Sequence, residues 1–186
     1  EDVIADDRVY AVTLTGSTRA GQAVAAQSGE QLKPTVLELG GSDPFVVLDD
    51  APVAAVAETA ATARTQNSGQ SCIAAKRFIV HEAVADEFVD AFVDEVEALT
   101  VGNPMDPETD VGPQARGDLL ADLHEQVTAS VAAGATLECG GEPLDGDGHF
   151  YPPTVLTDVP DGAPAAEEEL FGPVAAVLTV ADEDEA

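Results

Sequence analysis

Short apolar runs alternate along this chain with Ala-rich, helix-compatible stretches, and that alternation leaves few folds open. Residues 9–14, 34–39, 44–48, 76–81, 136–139, 154–159 and 174–180 read as strands. Residues 18–27, 52–66, 82–99 and 114–133 read as helices. Strands separated by helices form parallel sheets covered by helical layers, because each crossover must travel back along the sheet. The expected class is therefore α/β. Asp50 is placed to cap the 52–66 helix, with Pro52 in its first turn. Val84, Phe88, Phe92, Val96 and Leu99 form one apolar stripe on the 82–99 helix, and the acidic residues opposite read as a solvated face. A weak boundary at Gly40-Gly41 separates residues 1–41 from 42–186.

Charge excludes several functions. Acidic residues number 36 and basic residues 7, a formal charge of −29. Such a chain cannot present the basic face that nucleic acid requires, nor a polybasic membrane-surface helix. No apolar run reaches the length of a membrane span, and no basic-then-apolar leader opens the sequence. The acidic residues run along the whole length, and self-repulsion on this scale needs screening. The expected setting is the cytoplasm of a cell with very high internal salt, a halophile. Cys72 and Cys139 are far apart and differently flanked, so no disulfide framework is expected. The three histidines show no metal-ligand spacing, and no metal site is expected.

Four short stretches are candidates for chemistry. Cys72 ends a Gly-containing loop, Gln66-Asn67-Ser68-Gly69-Gln70-Ser71-Cys72, where backbone N–H groups or a base can activate a thiolate. A buried small hydrophobe is the plainer reading of a lone cysteine. Glu38 stands in the apolar run Thr35-Val36-Leu37-Glu38-Leu39, where burial disfavours a charged carboxylate unless it has a role such as general base. The plainer reading is an edge-strand glutamate facing solvent. Gly16-Ser17 lies between a strand and a helix, where free N–H donors can meet a phosphate. Its spacing to Gly21 does not make the dinucleotide fingerprint G-x-G-x-x-G. Glu169 and Phe171 share an acidic turn, Glu168-Glu169-Leu170-Phe171-Gly172-Pro173, suited to a ribose hydroxyl and a flat ring.

Taken in chain order, Thr15-Gly16-Ser17, Glu38-Leu39-Gly40-Gly41, Asn67-Ser68-Gly69-Gln70-Ser71-Cys72 and Glu168-Glu169-Leu170-Phe171-Gly172-Pro173-Val174, the four stretches resemble the NAD(P)-dependent aldehyde dehydrogenase superfamily. Val101-Gly102-Asn103-Pro104, Gly112-Pro113-Gln114, Gly140-Gly141 and Pro153-Thr154-Val155 strengthen the likeness, which runs from about Val9 to Val180. Gly40-Gly41-Ser42-Asp43-Pro44 with Ala74-Ala75-Lys76-Arg77-Phe78 resembles one branch of the succinate-semialdehyde dehydrogenases. Ser42 stands where the pattern often has Lys, and Thr65 where an aromatic is common.

The resemblance implies a parallel-sheet catalytic domain over residues 42–186 and the end of a Rossmann-like cofactor domain over 1–41. It implies that Cys72 attacks the aldehyde, that hydride leaves to NAD or NADP, and that Glu38 activates the hydrolytic water. The Cys72 N–H would form part of an oxyanion hole. Gly16 and Ser17 would lie against the pyrophosphate and adenosine half, and the Leu39 carbonyl near the nicotinamide amide. Glu169 would hold the nicotinamide ribose, and Phe171 would pack beside the ring. The substrate would be a small aldehyde, and the full-length protein a dimer or tetramer. Both ends read as cut, so the chain reads as an internal fragment, inactive alone. It lacks the upstream Pro-Trp-Asn-like motif that completes the oxyanion hole. Two other readings stand beside this one. The first is a truncated, non-catalytic chain that packs with a partner. The second is a cofactor-free thiol hydrolase, disfavoured because no histidine lies near either motif.

Overall fold

A computed structural model describes residues 2–186, which fall into two compact units divided between Gly41 and Ser42. The first contains α1 (Asp2–Ala5), β1 (Val12–Thr15), α2 (Thr18–Glu30) and β2 (Thr35–Glu38). β1 and β2 pair in parallel, with Val12 opposite Thr35 and Thr15 opposite Glu38. Ser17, extended at the N-cap of α2, accepts a hydrogen bond from the Ala20 N–H at 3.3 Å, satisfying one of the helix's free donors. Lys33 Nζ donates to the carbonyls of Ile4 and Asp6 at 2.6 and 2.7 Å, tying α1 to the lead-in of β2.

The second unit contains β3 (Pro44–Val47), α3 (Val53–Thr65), β4 (Arg77–His81), α4 (Ala85–Glu97), α5 (Gly117–Ala133), β5 (Thr136–Cys139), β6 (Thr154–Thr157), α6 (Pro164–Glu167) and β7 (Val174–Val180). The strands form one sheet in the order β3-β4-β7-β6-β5. The pairs β3–β4, β4–β7 and β6–β7 are parallel, as the helix–strand alternation implies. β5 and β6 are antiparallel, which corrects the all-parallel expectation. No helix separates them, and Gly140 and Gly141, at φ 71° and 87°, turn the chain after β5.

α3 and α4 cover the β4 region with one apolar cluster. Phe78, Phe88 and Phe92 are fully buried, and the Phe78 and Phe92 ring centroids lie 4.8 Å apart. Val96 joins them, so the stripe read in the sequence is the one that packs. A second cluster joins α5 and α6 to the β6–β7 region through Leu123, Val127, Tyr151, Leu156 and Leu170. Several element ends differ from expectation, among them the starts of α3, α4 and α5. Pro52, not Asp50, is the N-cap of α3, and it offers no side-chain acceptor. α4 begins at Ala85, after a turn in which the Ala83 N–H donates to His81 Nδ1 at 3.1 Å. α5 begins at Gly117, because the backbone is extended at its N-cap Arg116, at φ −151° and ψ 153°. No helix among the described residues is long and apolar enough to cross a membrane.

Candidate active site

Within the first unit, Gly16, Ser17, Glu38 and Leu39 meet at the carboxyl end of the two parallel strands, where open α/β sheets bind ligands. The Gly16 N–H donates to the Glu38 carbonyl at 2.9 Å, extending the ladder by one residue. A Cβ on Gly16 would meet nothing within 4 Å, so the turn opens to solvent at the start of α2. Gly21 has a different reason. A Cβ there would strike the Leu39 side chain, so this glycine lets helix and strand end approach each other.

Glu38 is exposed, so of the two readings left open the solvent-facing edge-strand glutamate is the one observed. β2 alternates, with Thr35 and Leu37 half-buried and Val36 and Glu38 on the open face. Its carboxylate is reachable from solvent.

Within the second unit, α3 runs into a turn with unusual backbone. Asn67, Ser68 and Gly69 are successively left-handed, at φ 51°, 55° and 71°. Two of these are not glycine, so the turn is held against its local preference. The segment after Val111 holds it. The Gly112 N–H donates to Ser68 Oγ at 2.9 Å, and Gln70 Oε1 accepts from the Ala115 N–H at 2.8 Å. Gln70 Nε2 donates to the Pro113 carbonyl at 3.2 Å, and buried Gln114 reaches the Ser68 carbonyl at 3.4 Å. A parallel bridge between Val101 and Val111 braces this segment in turn. The Gly-Asn-Pro and Gly-Pro-Gln stretches thus form a clamp on the cysteine loop.

Gly69 packs against the other side of the site. A Cβ there would collide with the Gly172 carbonyl, in the turn that carries Glu169 and Phe171. Gly69→Ala is expected to destabilise the protein by roughly 2–4 kcal/mol, combining left-handed strain with a backbone clash. Gly29→Ala, in open space near the end of α2, is expected to be neutral or stabilising by up to about 1 kcal/mol. Urea unfolding at fixed KCl measures both, and equal effects would refute the packing argument.

Cys72 is exposed at the end of this turn, free to meet a reactant. Two cations lie beneath it. Arg64 is 1% exposed and donates to the Gly69 carbonyl at 2.8 Å and the Val174 carbonyl at 3.2 Å. Lys76 is fully buried, and its Nζ donates to the carbonyls of Ser71, Cys72 and Ala74 at 3.2, 2.9 and 3.1 Å. Lys76 Nζ also lies 3.5 Å from Glu169 Oε1. That oxygen is buried and accepts no hydrogen bond among the described residues. Burial pushes the Arg64 guanidinium down to about 10 and the Lys76 ammonium below its ordinary range, and in both the Glu169 charge opposes the shift.

The turn bearing Glu169 is anchored from α5, where Gln126 Nε2 donates to Glu168 Oε2 at 2.8 Å and to the Glu169 carbonyl at 3.3 Å. Leu170 is fully buried, while Phe171 is half-buried. Cys72 and Glu169 are thereby brought together through Lys76, whereas Gly16, Ser17, Glu38 and Leu39 belong to the other unit. Cys139 is buried, and burial pushes its thiol up to about 11, so it stays inert.

Sequence reasoning missed the site roles of Arg64, Ser68 and Gln70, and of Lys76 beyond its place in a motif. One signal was available. In a chain with only 7 cations, three flank the cysteine loop closely: Arg64, Lys76 and Arg77.

The chain matches the aldehyde dehydrogenase family over residues 1–186. It is 58% identical, over all of its length and 39% of the relative's, to the succinate-semialdehyde dehydrogenase [NADP(+)] of Mycobacterium avium (strain 104). It spans about two fifths of the length of the curated relatives it matches. The solved structure of Gox0499 superposes with a TM-score of 0.95 at 46% identity, over 98% of this chain and 40% of that one. That of 3,6-anhydro-L-galactose dehydrogenase superposes with a TM-score of 0.94 at 39% identity, over 99% of this chain and 39% of that one.

Proposed function

Because this chain belongs to the aldehyde dehydrogenase family, we propose that it serves the NAD(P)-dependent oxidation of an aldehyde to its carboxylic acid through Cys72. Succinate semialdehyde is the first substrate to try and NADP the first cofactor, on the likeness to the mycobacterial enzyme. The observation that carries the reading is the exposed Cys72 on a strained turn locked by long-range hydrogen bonds. Strain maintained at such cost belongs to a site that must hold one geometry.

Residues 1–41 then form the end of the cofactor domain and 42–186 most of the catalytic domain. Two local features fit a dinucleotide. Gly16 and Ser17 open at the N-terminus of α2, where free N–H groups suit a phosphate. Glu169 keeps a buried carboxylate oxygen without a hydrogen-bond donor, as a ribose hydroxyl would require. When bound, the cofactor supplies the hydride acceptor.

The chain's own residues do the rest. Cys72 Sγ bonds to the aldehyde carbon, and the Cys72 N–H donates to the oxygen that becomes negative. Loss of hydride leaves a thioester on Sγ. Glu38, accessible in its own unit, takes a proton from the water that cleaves the thioester and returns Cys72. The Leu39 carbonyl and Phe171 orient the nicotinamide half. We assign the protein to the cytoplasm and to a dimer or tetramer, with no nucleic-acid or membrane partner. The test is reduction of NADP and NAD by succinate semialdehyde and a panel of other aldehydes. It uses the protein as its own cells make it, purified in concentrated KCl. NADP reduction that needs the aldehyde is expected, and no reduction with any aldehyde would sink the reading.

A second reading has its own support. Leu32, Tyr10, Val3 and Val36 are 92%, 82%, 73% and 61% exposed in the first unit, a surface suited to association. If the cell makes only this chain, it packs with a partner instead. An intact mass near 19.0 kDa for the native protein would favour that, and a much larger mass would exclude it.

A further inference from the structure

Among the described residues few polar or charged side chains are buried, and two of these carry full charges: Arg64 and Lys76. Both lie under the turn that ends in Cys72. In a chain with 7 cations against 36 acids, the only fully buried charges sit at this one place among the described residues. Burying a cation is costly unless its donors are filled and its charge has use.

The two cations divide the work. Arg64 reaches the Gly69 carbonyl and the start of β7, so it joins α3 to the sheet. Lys76 reaches three carbonyls around Cys72 and, with the same ammonium, the carboxylate of Glu169. No hydrogen bond joins Glu169 to Cys72 among the described residues, and Lys76 is the side chain that bonds to the Cys72 carbonyl and lies beside the Glu169 carboxylate. Its carbonyl and N–H are also fixed. The Lys76 N–H donates to the Asp43 carbonyl at 3.0 Å, and its carbonyl accepts from Ala176 at 3.0 Å.

We infer that Lys76 is a positioning residue that sets the turn of Cys72 and couples the reactivity of that thiol to the Glu169 carboxylate. Three carbonyls converge on one ammonium, so the turn cannot relax without losing them. The ammonium bonds to the Cys72 carbonyl itself, so its charge lies against the peptide group that carries the thiol. Glu169 competes for that charge from the other side. Whatever engages Glu169 changes how much of the charge the cysteine receives. The inference takes its meaning from the roles proposed for Cys72 and Glu169, but its test does not depend on them.

The test is the rate of alkylation of Cys72 by iodoacetamide, at one pH, in concentrated KCl and without nucleotide or aldehyde. The variants are Lys76→Met, Glu169→Gln and the double replacement, each in the whole protein. Lys76→Met is expected to slow alkylation about tenfold and Glu169→Gln to speed it about threefold. The double variant is expected to match Lys76→Met alone, because Glu169 acts only through the lysine. Effects that multiply independently, or a Glu169→Gln rate equal to the parent's, would overturn the coupling. Cys139 is an internal fold control, since its buried thiol stays unlabelled in any folded variant. Should Lys76→Met expose Cys139, the Glu169→Gln arm decides alone, with Lys76→Gln in place of the methionine variant. Nucleotide binding, measured separately, tells a failure of the dehydrogenase reading from a failure of this one. Alkylation that follows the cycle while NADP does not bind would keep the coupling and remove the cofactor assignment.

Discussion

Cys72→Ala is expected to lower aldehyde oxidation by at least about 10³-fold in kcat/KM while leaving the thermal midpoint within a few degrees of the parent. The two halves of that expectation have separate causes. The loss follows because covalent catalysis has no second thiol to fall back on. Cys139 is buried and held protonated, with its thiol pushed up to about 11 by desolvation. The unchanged stability follows because the exposed Cys72 side chain fills no core position. The turn is held by Ser68, Gln70, Arg64 and Lys76, not by the sulfur. Cys72→Ser tests the same point from the other side, since its hydroxyl fits the space but is a far weaker nucleophile near neutral pH. Steady-state assays with succinate semialdehyde and NADP, beside differential scanning calorimetry, supply both numbers. Full activity in Cys72→Ala would remove the nucleophile assignment, whatever the family.

Transfer from about 3 M to about 0.1 M KCl is expected to lower the unfolding midpoint by about 10 °C or more, because the Debye length grows from less than ~3 Å to ~10 Å and repulsion reaches neighbouring carboxylates. The chain's charge is −29, and its few cations do little to offset it. Arg8 and Arg116 pair with Asp6 and Asp118, two residues away on the exposed surface. Lys33, Arg64, Lys76 and Arg77 spend donors on backbone carbonyls. The outer face of α4, with Asp86, Glu87, Asp90, Asp94, Glu95 and Glu97, is left with like charges at helical spacing, which destabilise each other unless screened. A small addition of divalent chloride at low ionic strength should recover part of the loss, since it screens charge without the exclusion effects of concentrated salt. A midpoint that does not move with KCl would mean the acidity has no role in stability.

The elements legible in the sequence are those built by local periodicity. β7 runs over Val174–Val180, the expected span, because a continuous apolar stretch bounded by Pro173 and an acidic tail admits little else. The Phe88, Phe92, Val96 stripe packs as its 3.6-residue spacing requires. The candidate cysteine was also legible, since a Gly-containing loop and a following apolar run mark a junction between helix and strand. Gln114 was misread as helical because nothing local shows that its side chain is needed at Ser68, 46 positions earlier. Whether Glu38 is embedded or faces solvent stayed open, because an apolar strand sequence does not tell which of its faces is covered.

The sequence by itself determined the α/β class and the order of most elements, and it supplied the candidate side chains, because periodicity and turn chemistry act over a few residues. Tertiary structure alone decided which of those side chains share a site and what holds them there. Arg64 meets the Val174 carbonyl across 110 positions, and Lys76 meets Glu169 from a different strand and turn. Neither contact has a local cause. Each exists because the sheet order brings β4 beside β7, so that two charges no short window would bury become the floor of the cysteine turn.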